Sequence, residues 1–109
     1  MKRLLLFIAL VIPLSSYAVE EFFYQCNDGT KAHQYVAEDG DVVMEFHGIK
    51  MSYQGINTAN ELSFRDNTES YLRSNRLSVT AITESKFRMY LLSEKNHVTT
   101  ECDVIATKG

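Results

Sequence analysis

Hydrophobic and polar positions alternate in short runs along most of the chain beyond residue 20. Phe22, Tyr24 and Cys26 share one face of the first run, and Met51 and Tyr53 share one face of a later run. Alternation with a period of two over five to eight residues is typical of a strand with one buried face. The pattern predicts further strands at 42–46, 62–65, 77–82, 87–91 and 97–102.

Turn-forming residues separate these runs at short intervals, as in Asn27-Asp28-Gly29 and in 38–41. No segment beyond the first 20 residues carries a helical stripe a dozen residues long. The segment 57–73 has room for one helical turn, but two short strands are preferred because 66–67 separates Phe64 from Tyr71. Eight or so evenly spaced strands without long crossovers predict an all-β fold, an antiparallel meander that closes into a small barrel.

The first 18 residues have the three parts of an export signal. Lys2 and Arg3 precede an apolar run at 4–12, and Ser16 and Ala18 provide the small residues of a cleavage site. The run is about half the ~20 residues that cross a membrane, and no cysteine follows it at a lipoprotein-type position. We therefore expect a cleaved signal peptide at 1–18, a single domain at 19–109, and a periplasmic or secreted protein without a membrane anchor.

The charge balance favours a cationic protein partner. Loss of residues 1–18 would leave nine basic and 14 acidic side chains, a formal charge of −5. Such a surface repels phosphate backbones, so we expect no nucleic acid ligand.

The only two cysteines, Cys26 and Cys102, lie near the two ends of the predicted domain. An even pair in a short exported chain predicts one disulfide, here between the first and last strands at the seam of the barrel. In the chain-entropy model a loop of this length gives roughly 4 kcal/mol of stabilisation.

Catalytic and metal-binding patterns are missing from the sequence. The three histidines are scattered, no serine lies in a Gly-x-Ser-x-Gly elbow, and the disulfide would consume both thiols. The carboxylates at 38–41 surround Gly40, as in a solvated turn, and lack the ligand spacing of a calcium loop. We expect neither an enzyme nor a protein that needs a cofactor or a metal.

Two features are candidates for binding. The polar stretch 54–61 is long for a hairpin connection and has no strand pattern, and long loops on a rigid sheet often carry recognition, although a plain flexible connection fits equally. The second feature is a row of basic residues, which would form a positive patch or simply occupy outward strand positions: Arg73, Arg76, Lys86 and Arg88.

The outline of the chain resembles the bacterial inhibitors of C-type lysozyme. The resemblance rests on Tyr24-Gln25-Cys26 near the start, Tyr35 a few residues on, and a closing strand that ends in Cys102. It implies a small antiparallel barrel with a disulfide between the early and late cysteines. It also implies that a loop enters the substrate cleft, where a serine meets one catalytic carboxylate and a basic residue pairs with the other.

The inhibitory motifs of that family are only partly present. The stretch 58–64 lacks the serine-glycine pair and has Phe64 in place of a tyrosine, and 85–88 lacks the glycine of the second motif. The nearest counterparts are Asn60 and Ser63 for the loop, and Lys86 and Arg88 for the basic role.

The first functional hypothesis is therefore a periplasmic inhibitor of a lysozyme or another wall-cleaving enzyme. One alternative is an immunity protein that neutralises a toxin from competing bacteria, and another is an envelope binding module that carries a ligand in the barrel. A filled core with a protruding loop after Tyr53 would favour the inhibitor, and an open apolar cavity would favour the carrier.

Overall fold

The computed structural model describes residues 20–95 and 97–109, so the predicted export signal lies outside the described residues. Every strand pairs with the next in antiparallel fashion, and the last pairs with the first, which closes a barrel. This confirms the predicted all-β meander of eight strands. The strands are β1 (Glu21–Cys26), β2 (Lys31–Val36), β3 (Val42–Phe46), β4 (Ile49–Ile56), β5 (Leu62–Arg65), β6 (Arg76–Ala81), β7 (Lys86–Leu92) and β8 (His97–Lys108).

The barrel interior is filled by the side chains that the alternation assigned to one face. The largest of them are less than 2 % exposed, and each contributes roughly 1.5–3 kcal/mol of burial free energy. They come from five consecutive strands of the meander: Met44, Phe46, Met51, Phe64, Leu77 and Met89. The interior is thus a packed core.

The predicted disulfide between the first and last strands is present. Cys26 and Cys102 face each other directly in the β1–β8 pair, and their side chains are bonded inside the core. The bond therefore ties the seam at which the barrel closes.

The polar stretch 54–61 is not the long loop that the sequence predicted. Strand β4 continues to Ile56, so only 57–61 connects it to β5. A β-bulge lies between Tyr53 and Gly55, where Gly55 has a φ of +118°. Because a bulge inserts one residue, it shifts the alternation to the other phase and hides the end of the strand in the sequence.

The second strand predicted within 57–73 is wrong. Only β5 forms there, and Tyr71–Arg73 make a 3₁₀ turn. The hydroxyl of Ser74 donates to the carbonyl of Tyr71 at 2.6 Å, and the Arg65 guanidinium donates to the same hydroxyl at 3.0 Å. These side-chain hydrogen bonds stabilise a folded backbone over an extended one.

Antiparallel order sends successive connections to alternate ends of the barrel. The β2–β3, β4–β5 and β6–β7 connections lie at one end, and the β1–β2, β3–β4, β5–β6 and β7–β8 connections lie at the other. Within the described ranges, no helix has the length and apolar character needed to span a bilayer.

Candidate functional site

One end of the barrel carries only acidic charge in its connections. We call this surface the acidic end and define it by residues 37–41, 57–61 and 82–85, the three short connections that meet there. None of these residues is a lysine or an arginine, and five are carboxylates: Glu38, Asp39, Asp41, Glu61 and Glu84. Such a concentration of one sign attracts a cationic surface.

Apolar side chains are exposed beside these carboxylates. Ile56, at the end of β4, is 62 % exposed, Val36 at the end of β2 is 45 % exposed, and Ile82 is 40 % exposed. Tyr53 lies at the mouth of the barrel, where its ring packs against Phe64 at 5.6 Å and partial burial raises the pKa of its hydroxyl. Exposed aliphatic groups within a charged rim are typical of a protein-binding surface.

The β4–β5 connection is held rigid by the side chain of Asn57. Its Oδ1 accepts hydrogen bonds from the backbone N–H groups of Ala59, at 2.9 Å, and Glu61, at 3.0 Å. Its Nδ2 donates to the Glu61 carboxylate at 3.2 Å, and that carboxylate also accepts from the Thr80 hydroxyl on β6 at 2.6 Å. The tip is therefore ordered before any partner arrives, which reduces the entropy lost on binding.

The predicted site residues divide between the acidic end and the outer wall of the barrel. Asn60 closes the turn of the β4–β5 connection in a left-handed conformation with φ +64°, and Lys86 begins β7 directly after the third connection. Ser63 and Arg88 lie on β5 and β7 and face outward, opposite in phase to the buried Phe64 and Met89. Strand β6 separates these two side chains, since Ser63 pairs with Ser78 and Arg88 pairs with Thr80.

The two predicted basic residues on β7 already have acidic partners on β8. Lys86 Nζ lies 3.0 Å from Asp103 Oδ1, and Arg88 Nη2 lies 3.9 Å from Glu101 Oε2. Surface pairs of this kind contribute about 0–1 kcal/mol, so either group can exchange its partner for one on another protein. The other members of the basic row, Arg73 and Arg76, belong to the opposite end of the barrel, so the row does not form one patch.

The outer wall of β1–β3 carries a second polar cluster that the sequence did not indicate. The ring of His33 stacks on Phe23 with centroids 4.5 Å apart, and its Nε2 lies 2.7 Å from Glu21. The Tyr35 hydroxyl donates to Glu45 at 2.8 Å, which raises the pKa of this hydroxyl. Two open depressions of about 320 and 340 Å³ flank His33. Because the rings of His33 and Phe23 stack on one another across neighbouring strands, we interpret this cluster as cross-strand packing.

Sequence reasoning missed the exposed aliphatic residues and the Glu61–Thr80 contact at the acidic end. The available signal was the turn composition of 57–61, with Asn57 and Glu61 on either side. Their pairing with Thr80 depends on the neighbouring strand and cannot be read from one segment.

Among residues 20–95 and 97–109, no three His, Cys, Asp or Glu side chains are grouped closely enough to hold a metal ion. The acidic end instead offers charge, exposed apolar area and a rigid hairpin, which together suit binding of another protein.

Comparisons with protein-family models, curated proteins and solved structures find no match for this chain.

Proposed function

We propose that this protein inhibits a lysozyme-like cell-wall hydrolase by binding over its substrate cleft with the acidic end. The observation that carries this proposal is the combination of five carboxylates on three short connections that hold no basic residue with exposed aliphatic side chains in and beside those connections. The proposed function is occlusion, so it requires no catalytic group and no cofactor in the inhibitor.

Electrostatics supports a cationic target. Residues 20–109 hold nine basic and 14 acidic side chains, and the acidic end concentrates five of the acidic ones. Lysozyme-type enzymes are typically cationic, and opposite charges raise the rate of productive encounter. Inhibition should therefore weaken as ionic strength rises.

The rigid β4–β5 hairpin supports a role as the element that enters the cleft. Asn60 in this connection provides an exposed polar side chain, and Ile56 at the end of β4 would supply the apolar contact. Lys86, at the edge of the same end, is 35 % exposed and can turn from Asp103 to a carboxylate of the enzyme. Ser63 and Arg88 would extend the contact along the outer wall.

The packed interior argues against a carrier that holds its ligand inside the barrel. Phe46, Phe64 and their neighbours are less than 2 % exposed, and the two depressions described above lie on the outer wall. The interior of the described barrel therefore offers no apolar chamber of the several hundred cubic ångströms that a small ligand needs.

The test is inhibition of wall lysis by C-type, goose-type and invertebrate-type lysozymes, using the purified, disulfide-bonded protein. A variant with Asp39→Asn and Glu84→Gln should associate with the inhibited enzyme on the order of tenfold more slowly than the wild type. The matched control carries Glu69→Gln and Glu94→Gln, which remove the same charge at the opposite end, and should associate almost as fast as the wild type.

Ile56→Asp tests the apolar part of the surface, because it places a charge where an aliphatic contact is proposed. We expect inhibition to weaken by on the order of tenfold or more. If none of the three lysozyme types loses activity at micromolar inhibitor, the proposal is wrong and the immunity-protein hypothesis becomes the leading one. Equal slowing by both pairs of charge variants would contradict the assignment to the acidic end.

A further inference from the structure

The longest connection of the barrel protrudes at the end opposite the acidic end. Residues 66–75 join β5 to β6, and we call this connection, with Arg65 and Arg76 on either side, the arginine loop. Its 3₁₀ turn exposes two large side chains, Tyr71 at 60 % and Leu72 at 71 %. Long loops that expose apolar residues on a rigid scaffold commonly take part in binding.

The arginine loop is held in one conformation by its own side chains. The Arg65 guanidinium donates to the Ser74 hydroxyl at 3.0 Å and to the carbonyls of Thr68 and Glu69 at 2.8 and 3.2 Å. Ser74 is fully buried, and the Asp66 carboxylate accepts two hydrogen bonds from Asn75. The exposure of Tyr71 and Leu72 is thus fixed by the structure and is not the result of a loosely packed segment.

Arginine side chains lie close to the exposed Tyr71 and Leu72. The guanidinium carbons of Arg65 and Arg76 lie 5.2 and 4.7 Å from the centroid of the Tyr71 ring, within the range of cation–π attraction. Arg73 is exposed beside them and makes no side-chain hydrogen bond or ion pair with the described part of the chain. The three arginines outnumber the two carboxylates of this segment, Asp66 and Glu69, so the loop presents an apolar tip with a small net positive charge.

We propose that the arginine loop of one molecule docks on the acidic end of a second copy, head to tail. The two surfaces complement each other in charge, since 65–76 holds three arginines against the two carboxylates of Asp66 and Glu69, whereas the acidic end holds five carboxylates and no basic residue. They also complement each other in apolar character, since Tyr71 and Leu72 are exposed on one surface and Ile56, Val36 and Ile82 on the other. An anionic membrane is the weaker choice of partner, because the acidic excess of the whole chain would be repelled.

The geometry makes the association open-ended and weak. Different surfaces meet at a head-to-tail contact, so each added copy leaves a free surface at both ends of the assembly. The contact is small, because it joins a single loop, 66–75, to three connections of four or five residues each. A standard stable interface buries roughly 800 Å² on each partner, so assembly should require high protein concentration.

The test is sedimentation velocity of the purified, disulfide-bonded protein over a series of concentrations, at low and high salt. The average mass of the wild type should rise steadily with concentration, without levelling at a dimer, and should fall at high salt. Leu72→Asp disables the arginine loop and Ile56→Asp disables the acidic end, and each variant alone should remain a monomer. Mixed in equal amounts, the two should form a dimer of one copy of each, because each keeps the surface that the other lacks.

Several outcomes would overturn the proposal. The wild type could remain monomeric at the highest concentration, or the mixed variants could remain monomeric while the wild type associates. Binding of the wild type, but not of Leu72→Asp, to vesicles of anionic phospholipid would assign the loop to membranes instead. Hydrolase inhibition separates this proposal from the proposed function, since Leu72→Asp should abolish self-association and leave inhibition intact. Circular dichroism of both variants checks that they are folded.

Discussion

At the scale of single residues, Asp66 shows how one carboxylate orders a loop. Its Oδ1 accepts from the N–H of Thr68 at 3.0 Å, and its Oδ2 accepts from the N–H and Nδ2 of Asn75 at 3.1 and 2.8 Å. Partial burial tends to raise the pKa of Asp66, but the hydrogen bonds from Thr68 and Asn75 outweigh it, and the net effect lowers the pKa. The ionised form is therefore the one that the folded protein favours.

Asp66→Asn should reduce the free energy of unfolding by about 1–2 kcal/mol at neutral pH, because Oδ2 and its two hydrogen bonds are lost. Because the pKa of Asp66 is lower in the folded than in the unfolded protein, the carboxylate contributes its full stabilisation above the unfolded pKa of ~3.9. This contribution is lost as the pH falls through the folded pKa. Urea unfolding at several pH values should show the difference between wild type and variant shrinking in acid. Glu69→Gln, an exposed carboxylate in the same loop, should change stability little at any pH.

At the scale of elements, the β4–β5 hairpin depends on Asn57 for its shape. Asn57→Ala removes two acceptor contacts to backbone N–H groups and one donor contact to Glu61. We expect a loss of about 1–2 kcal/mol in the free energy of unfolding, measured by urea titration. The neighbouring Thr58→Ala is the control, since Thr58 is exposed and its side chain makes no hydrogen bond with residues 20–95 or 97–109.

The same Asn57 variant tests whether the rigidity of the hairpin contributes to binding. If the ordered tip of the hairpin enters the cleft of a hydrolase, Asn57→Ala should weaken inhibition by more than Thr58→Ala, because ordering entropy is then lost on binding. Equal inhibition by the two variants, with only the stability of Asn57→Ala reduced, would mean that the hairpin does not contact the enzyme.

Period-two alternation located most of the strands, but it missed the end of β4, the 3₁₀ turn at Tyr71–Arg73 and the extension of β8 from 102 to Lys108. The inward positions of β3 and β6 follow directly from period two, as Met44, Phe46, Leu77 and Val79 are all buried. The bulge near Gly55 reverses the phase of β4, so the strand end resembled a loop. The 3₁₀ turn depends on Arg65 and Ser74, nine positions apart, and that contact has no signature within a local window.

At the scale of the whole molecule, the candidate site was only partly predictable. An antiparallel meander places Asn60 and Lys86 at the same end by topology alone, whatever the details of packing. That Lys86 and Arg88 meet Asp103 and Glu101 depends on the register between β7 and β8, which the sequence does not specify. The exposure of Ile56 depends in turn on the bulge. The order of the strands could therefore be predicted from the alternation of hydrophobic and polar residues. The contacts between surface side chains could not, because they depend on the register between neighbouring strands.

Closure of the barrel depends on the contact between β1 and β8, which are distant in sequence and joined by the Cys26–Cys102 disulfide. The bond closes a loop with a sequence separation of 76, and in the chain-entropy model its loss should cost roughly 4 kcal/mol. The double variant Cys26→Ala and Cys102→Ala should therefore unfold at a much lower urea concentration. The reduced wild type should unfold at a similarly low urea concentration. Because it keeps both sulfur atoms in the core, it separates loss of the bond from loss of the side-chain atoms.

Hydrogen exchange locates the effect of the missing bond within the barrel. If the disulfide holds the seam, amides of β1 and β8 should lose protection before those of β3 to β6, which keep both neighbouring strands. A loss below 1 kcal/mol with unchanged protection at the seam would mean that the hydrogen bonds and buried side chains of β1 and β8 close the barrel without help. The fold would then hold in a reducing compartment as well, and the disulfide would no longer support the expectation of export, which would rest on residues 1–18 alone.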